Sequence, residues 1–168
     1  QPNIKLEWIF NSMIKKNFKK LNDRKRLEIV KDLLDKFGIK TSLKRIGDIN
    51  MRIDAQGKFN QNKIIFSIEF GNDSLSIPRK LLEGFAVTHN RYKISKKKLI
   101  PIAILSTLPN KRSEYYRVID DINKVLKIKI FTLPLDVLEK FVSYKNKFSN
   151  QILEKLYISE KEGSDFLK

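Results

Sequence analysis

The chain contains no cysteine and a single histidine, His89. The first absence removes disulfides, thiolate-held zinc and cysteine nucleophiles. The second removes multi-histidine metal sites and histidine-based triads. Any metal would have to be held by oxygen, which favours a hard ion such as Mg²⁺. No stretch approaches the roughly 18 consecutive apolar residues of a membrane span. The apolar residues of Ile4–Leu21 are interrupted by lysines throughout, unlike the unbroken core of a signal peptide. The expectation is a cytoplasmic (intracellular) protein with no membrane partner. Internal repeats and low-complexity linkers are missing too. The 168 residues, 41% of them hydrophobic, therefore read as one domain with a real core. Within it, residues 1–38 read as an N-terminal helical scaffold, 39–148 as an α/β core, and 149–168 as a C-terminal helix and tail.

Acidic residues are also scarce. Asp and Glu number 19 against 35 Lys and Arg, for a net charge of +16 at pH 7 and an isoelectric point near 9.9. Such an excess predicts a polyanionic partner, most often nucleic acid. The bland alternative is the lysine-rich composition of an AT-rich genome, which the abundance of Ile and Asn also fits. The densest basic cluster is RYKISKKK, in which Arg91, Lys93, Lys96, Lys97 and Lys98 surround Tyr92. Against DNA they would supply sequence-independent phosphate contacts that weaken steeply with salt. A solvated loop is the simpler reading.

The chain is organised around Gly47–Lys80. Asp48–Ala55 reads as a strand, Gln56–Lys63 as the turn around Gly57, and the β-branched run Ile64–Phe70 as a buried strand. Gly71-Asn72-Asp73 breaks it, and a helix follows with Ser76 as cap and Pro78 in its first turn. Glu69 is a carboxylate inside an apolar strand, and burying it costs several kcal/mol unless a cation or a proton compensates. With the turn centred on Lys58–Phe59, Asp48 falls opposite the neighbourhood of Glu69, while Asp54 falls opposite Ile64. Asp48 and Glu69 are therefore the expected acid pair, of the kind that holds Mg²⁺ for phosphodiester hydrolysis.

On either side the pattern alternates helices and strands. Ile4–Leu21 has one apolar helical face. A second helix, capped by Asn22 or Asp23, carries Leu27, Val30, Leu33, Leu34 and Phe37 and ends at Gly38. Ile39–Ile46 is half polar and suits a connector or an edge strand. Ile77, Leu81, Leu82 and Phe85 form a packing stripe, with His89 at the helix end as a cation or phosphate contact more than a base. Leu99–Thr107 is continuously apolar, as parallel strands covered on both faces are. Ser113–Leu126 predicts a helix, Lys127–Leu133 a strand, Asp136–Lys147 a helix and Ser149–Tyr157 a last helix. The order implies an α/β domain with a mixed sheet, the Ser76 helix being a right-handed crossover.

From Gly47 to about Thr107, over a third of the chain, the sequence resembles the PD-(D/E)XK nuclease superfamily, and within it the BamHI-like type II restriction endonucleases. The likeness rests on GDIN, a hairpin of matching length, SIEFGN before a serine-led helix, a lysine-rich loop and an apolar strand. It implies a restriction-endonuclease-like mixed sheet flanked by helices, Mg²⁺ dependence, and sequence-specific cleavage of double-stranded DNA by a homodimer. In an ungapped register the family's first aspartate falls on Asn50, its second acid on Ser67 and its third-position Glu or Lys on Glu69. Sliding by two residues puts the acids on Asp48 and Glu69 and leaves Gly71 at the third position, so that Lys80 would have to serve as the base. The first expectation is thus a Mg²⁺-dependent DNA endonuclease with catalytic Asp48, Glu69 and Lys80. A degenerate nuclease fold that binds DNA as a recognition or accessory subunit is the alternative. A basic RNA- or protein-binding domain, with Glu69 salt-bridged in the core, is a third.

Overall fold

A computed structural model describes residues 17–158. Most of the expected first helix, residues 4–21, lies outside the described residues. Helix α1 (Asp23–Phe37) starts where the Asn22 side chain accepts a hydrogen bond from the Lys25 amide, and it ends at Gly38. Strand β1 (Lys40–Leu43) follows, then β2 (Ala55–Phe59) and β3 (Asn62–Glu69). A 3-10 turn leads into α2 (Ile77–Arg91), and a second one, Lys96–Lys98, into β4 (Leu99–Leu105). Helix α3 (Glu114–Leu126), β5 (Phe131–Pro134), α4 (Leu135–Ser143) and α5 (Asn150–Lys155) complete the domain.

The five strands lie in sequence order in one sheet. β2 pairs antiparallel with both β1 and β3, whereas β3, β4 and β5 are parallel. The parallel pairs require crossovers, which α2 and α3 provide. The fold is therefore α/β, a five-stranded mixed sheet with flanking helices. Each face carries a core. On one, Val30, Leu34 and Phe37 of α1 pack with Leu138 of α4 and Leu153 of α5 against Phe66, Ile102 and Ile104. On the other, Leu81 and Phe85 of α2 and Tyr115, Tyr116 and Ile119 of α3 cover Ile65, Ala103 and Leu105. Every residue of β4 is buried, as its unbroken apolar run requires. The Tyr115 hydroxyl meets Thr132 Oγ1 at 2.8 Å in the second core, and burial pushes that phenol far above its ordinary pKa.

Two expectations about the hairpin are corrected. Phe59 pairs with Asn62, so the turn is the two-residue Asn60–Gln61, with Asn60 in the left-handed region at φ 52°. The segment 48–54 is a loop and not a strand. Gly57 is a strand residue, placed where Ile39 and Phe66 press close: a Cβ there would stand 2.6 Å from Ile39 Cγ2 and 3.0 Å from Phe66 Cε2. Downstream, Lys127 is a left-handed helix cap (φ 56°), so β5 starts four residues later than Lys127, at Phe131. The helix expected over Asp136–Lys147 ends at Ser143. The last helix is shorter than Ser149–Tyr157, with the Ser149 hydroxyl accepting from the Ile152 amide at its start.

The loop before β2 is seated on α2 through a close contact of Ile53 with Gly84, where a Cβ would lie 2.3 Å from Ile53 Cγ2. Overpacking there costs about 1–3 kcal/mol, more than the roughly 1 kcal/mol that alanine gains over glycine inside a helix. Gly84→Ala should therefore lower stability in urea denaturation. Combined with Ile53→Ala it should cost less than the sum of the two single changes. Additive losses would show that the two residues do not press on each other.

Candidate functional site

The β2–β3 register decides which acids meet. Ala55 pairs with Phe66, so Asp54, one residue earlier, stands opposite Ser67. The Asp54 amide donates to Phe66 O (3.0 Å), and its carbonyl accepts from the Lys44 amide (2.9 Å). Its carboxylate Oδ2 accepts from the Ile68 amide at 2.7 Å and from the Ser67 hydroxyl at 3.3 Å. Past Asp54 the chain leaves β3, and a ladder donor would be left without a partner. The side chain takes the place of the missing backbone acceptor.

Glu69 ends β3 half-buried. Its Oε1 accepts from the Gly71 amide at 2.7 Å, and its backbone carbonyl accepts from the Ser106 amide at 2.9 Å. The strand end is thereby pinned to the end of β4. Asp48 lies elsewhere, in a turn where its Oδ1 accepts from the amides of Asn50 (2.9 Å) and Met51 (3.2 Å). The expected Asp48–Glu69 pair is not formed. The physical reason is the turn: with Asn60–Gln61 at its tip the ladder moves Asp54, not Asp48, into the corner beside β3. Lys80 sits in the first turn of α2, half-buried, with no ion pair to any of these acids.

Ser67, opposite Asp54, is buried. Among the described residues no group of three or more Asp, Glu, His or Cys side chains could hold a metal ion. The corner offers two carboxylates, Asp54 and Glu69, each with one oxygen bound to a backbone amide and one left over, and the Ser67 hydroxyl beside Asp54.

Cations are gathered at the other end of β3. Lys63 pairs with Leu99 and Glu69 with Leu105, so the basic segment and the acid corner are separated by six strand residues, about 20 Å. Arg91 ends α2 and Tyr92 follows, 63% exposed. Lys93 is left-handed (φ 54°), and His89 Nδ1 donates to Ile94 O at 2.6 Å, closing this turn. His89 is thus a structural staple of the helix end. Lys96, Lys97 and Lys98 are all exposed in their 3-10 turn.

The register also builds a feature that residue spacing conceals. Lys40 pairs with Lys58, and Lys58 pairs with Lys63, placing three lysines side by side across β1, β2 and β3. Like charges directly opposite one another on antiparallel strands destabilise the sheet. Burial lowers the pKa of Lys63, whose ammonium lies 5.2 Å from the centre of the Tyr92 ring. Polar residues Ser42 and Gln56 continue this face, leaving a concavity along the hairpin. The acid corner is internally satisfied, and the lysine row is not.

No family model matches the chain, and no curated protein matches it significantly. Among solved structures it is similar to the crystal structure of a protein of unknown function, AF1548, with 15% identity and a TM-score of 0.45. That match covers 78% of this chain and 74% of the other. A likeness this distant does not bear on function.

Asp54→Ala would leave the Ile68 amide without an acceptor, at a cost of about 1–3 kcal/mol. Hydrogen exchange at that amide should accelerate more than at its neighbours. Asp48→Ala, which loosens only a surface turn, should cost about 1 kcal/mol or less. Equal losses for the two variants in chemical denaturation would contradict the role assigned to Asp54.

Proposed function

We propose that this domain is a PD-(D/E)XK-type fold that binds double-stranded DNA and has lost metal-dependent cleavage, acting as a recognition or accessory module. The observation that carries it is Ser67 standing opposite Asp54, its hydroxyl hydrogen-bonded to the carboxylate where a second acid would complete the metal site. In this register Asp54 takes the place of the family's first aspartate, Ser67 that of its second acid, and Glu69 that of its third residue. The sheet supports the family reading: an antiparallel β1–β2–β3 meander joined by helical crossovers to parallel β4 and β5.

Charge supports the partner. Lys40, Arg45, Arg52, Lys58, Arg91 and Lys93 are all exposed around the hairpin and the end of α2. A duplex laid on this face would bring phosphates against the lysine row and relieve its repulsion, and no acid on the row does so. The basic loop Lys96–Lys98 enters β4 beside Lys63 and extends the same surface.

A second reading keeps cleavage, with Asp54 and Glu69 as the working acids. Ser67 and Glu69 are two apart on β3 and share a face, and Asp54 stands opposite the first of them. In that case Mg²⁺ would be the cofactor and the chain a DNA endonuclease.

Plasmid nicking in Mg²⁺ or Mn²⁺ separates the two. The first reading expects intact plasmid with wild type, Asp54→Asn, Glu69→Gln and Asp48→Asn alike, while gel shifts show duplex bound. Nicking by wild type that is lost with Asp54→Asn or Glu69→Gln, and kept with Asp48→Asn, would establish the second. For the interface, replacing Lys40, Lys58 and Lys63 with alanine should flatten the slope of log K against log salt by up to ~0.9 for each phosphate no longer neutralised. The same change should stabilise the fold by roughly 0.2–1 kcal/mol for each like-charge pair removed. Alanines at Lys96, Lys97 and Lys98 should flatten the slope without that gain. An unchanged slope in both variants would sink the duplex reading.

A further inference from the structure

Next to the lysine row a cavity of about 380 Å³ opens between the β1–β2 hairpin, the C-terminal half of α2 and the loop of residues 44–54. Its size lies at the lower end of small-ligand sites, roughly 300–1,000 Å³. We infer that this cavity receives a single nucleotide displaced from a bound duplex, with Ile46 and Ile49, next in sequence to the lining residues Arg45, Asp48 and Asn50, as the wedge that displaces it. This rests on the duplex-binding reading above, and the two can fail separately in the same experiment.

Three cations line the cavity, Arg45, Arg52 and Lys63, and none of them is in an ion pair among the described residues. The one carboxylate on the rim, Asp48, commits Oδ1 to the Asn50 and Met51 amides and faces none of the three as a salt-bridge partner. Lys63 is half-buried, with its ammonium 5.2 Å from the centre of the Tyr92 ring. A cavity of this kind calls for an anion, and for a flat one: Tyr92 offers an aromatic face for stacking. Ser42 and Gln56, also on its wall, offer the donors and acceptors that read the edge of a base. A phosphate-bearing aromatic ring meets all three demands at once.

The loop of residues 44–54 supplies a second, independent observation. Ile46 is 86% and Ile49 80% exposed, the two most exposed large apolar side chains among the described residues. They flank Gly47, whose positive φ of 79° turns the loop and whose Cβ position meets nothing within 4 Å. Packing does not account for two isoleucines held in water on such a tip. Proteins that distort duplexes insert apolar side chains of this kind between base steps, alongside arginines and lysines that hold the backbone. Here Lys44, Arg45 and Arg52 bracket the isoleucines. An apolar protein partner is disfavoured by that same charge, which continues into the lysine row.

The test uses the full chain and a duplex with thymines spaced along both strands. Fluorescence anisotropy reports binding, and permanganate oxidation, which attacks thymines that have lost their partner or their stacking, reports displacement. Wild type at saturation should make discrete thymines reactive, and Ile46→Ser with Ile49→Ser should abolish that reactivity. Tyr92→Ala should weaken binding by about tenfold, within the worth of one aromatic–base stack, and shorten the lifetime of the open base. All these side chains are exposed, so melting temperatures should stay within a few degrees of wild type. Saturable binding with an unaltered permanganate pattern would overturn the base pocket and leave the duplex reading standing. No duplex binding would overturn both. A change of mass in sedimentation on removing the two isoleucines, with reactivity intact, would make this loop a contact between protein chains and overturn the wedge.

Discussion

The pairing of β2 with β3 is the constraint on which the rest of this molecule depends. A slip by one residue would turn every side chain of the strand to the opposite face. Two features hold the register. Asn60 takes the left-handed conformation that a two-residue turn needs, and Gly57 lets Ile39 and Phe66 close over the strand. From that alignment come both the Asp54–Ser67 contact at one end of the hairpin and the Lys58–Lys63 pair at the other, to which the β1–β2 register adds Lys40.

The two ends are physically unlike. At the acid corner each charge has partners: Asp54 holds Ile68 and Ser67, and Glu69 holds Gly71. Hydrogen bonds to a carboxylate are roughly twice as strong as neutral ones, so this corner stabilises the end of β3. At the lysine row three cations face one another with no acid paired to them among the described residues. A fold selected for stability alone would separate them or interleave a glutamate. Carrying that strain on an exposed sheet face is what a surface for a polyanion would do.

Much of the architecture was legible in the residues, because periodicity reports burial directly. The stripe of Val30, Leu34 and Phe37, the unbroken Leu99–Leu105 run and the Ser113 cap of α3 all stand where apolar spacing and capping chemistry put them. The hairpin was not legible. Gly57 looks like a turn glycine in sequence, and only the closeness of Ile39 and Phe66, residues distant in sequence or on the partner strand, reveals why it is a strand residue. Displacing the turn by a few positions was enough to exchange Asp54 for Asp48 in the candidate site. The lysine row was hidden for the same reason, since Lys40, Lys58 and Lys63 become neighbours only through the register. Arg45 and Arg52 join Lys63 in one cavity only because Ile53 seats their loop on Gly84.

The local role of Asp54 changes what its presence can be taken to mean. An aspartate just before the second strand of a mixed α/β sheet invites a catalytic reading. Here its Oδ2 is the acceptor for a backbone donor that β2 abandons, and removing it would leave that donor unpaired in a part-buried place. Selection for stability alone would retain it, whether or not the site ever cut a phosphodiester. Ser67 has no such constraint towards acidity: a hydroxyl donates to the carboxylate beside it, whereas a second carboxylate would repel it unless a cation lay between them. A serine beside Asp54 therefore suits a corner in which no cation lies between the two side chains. One carboxylate and one hydroxyl side by side at this corner are thus accounted for by folding energetics alone.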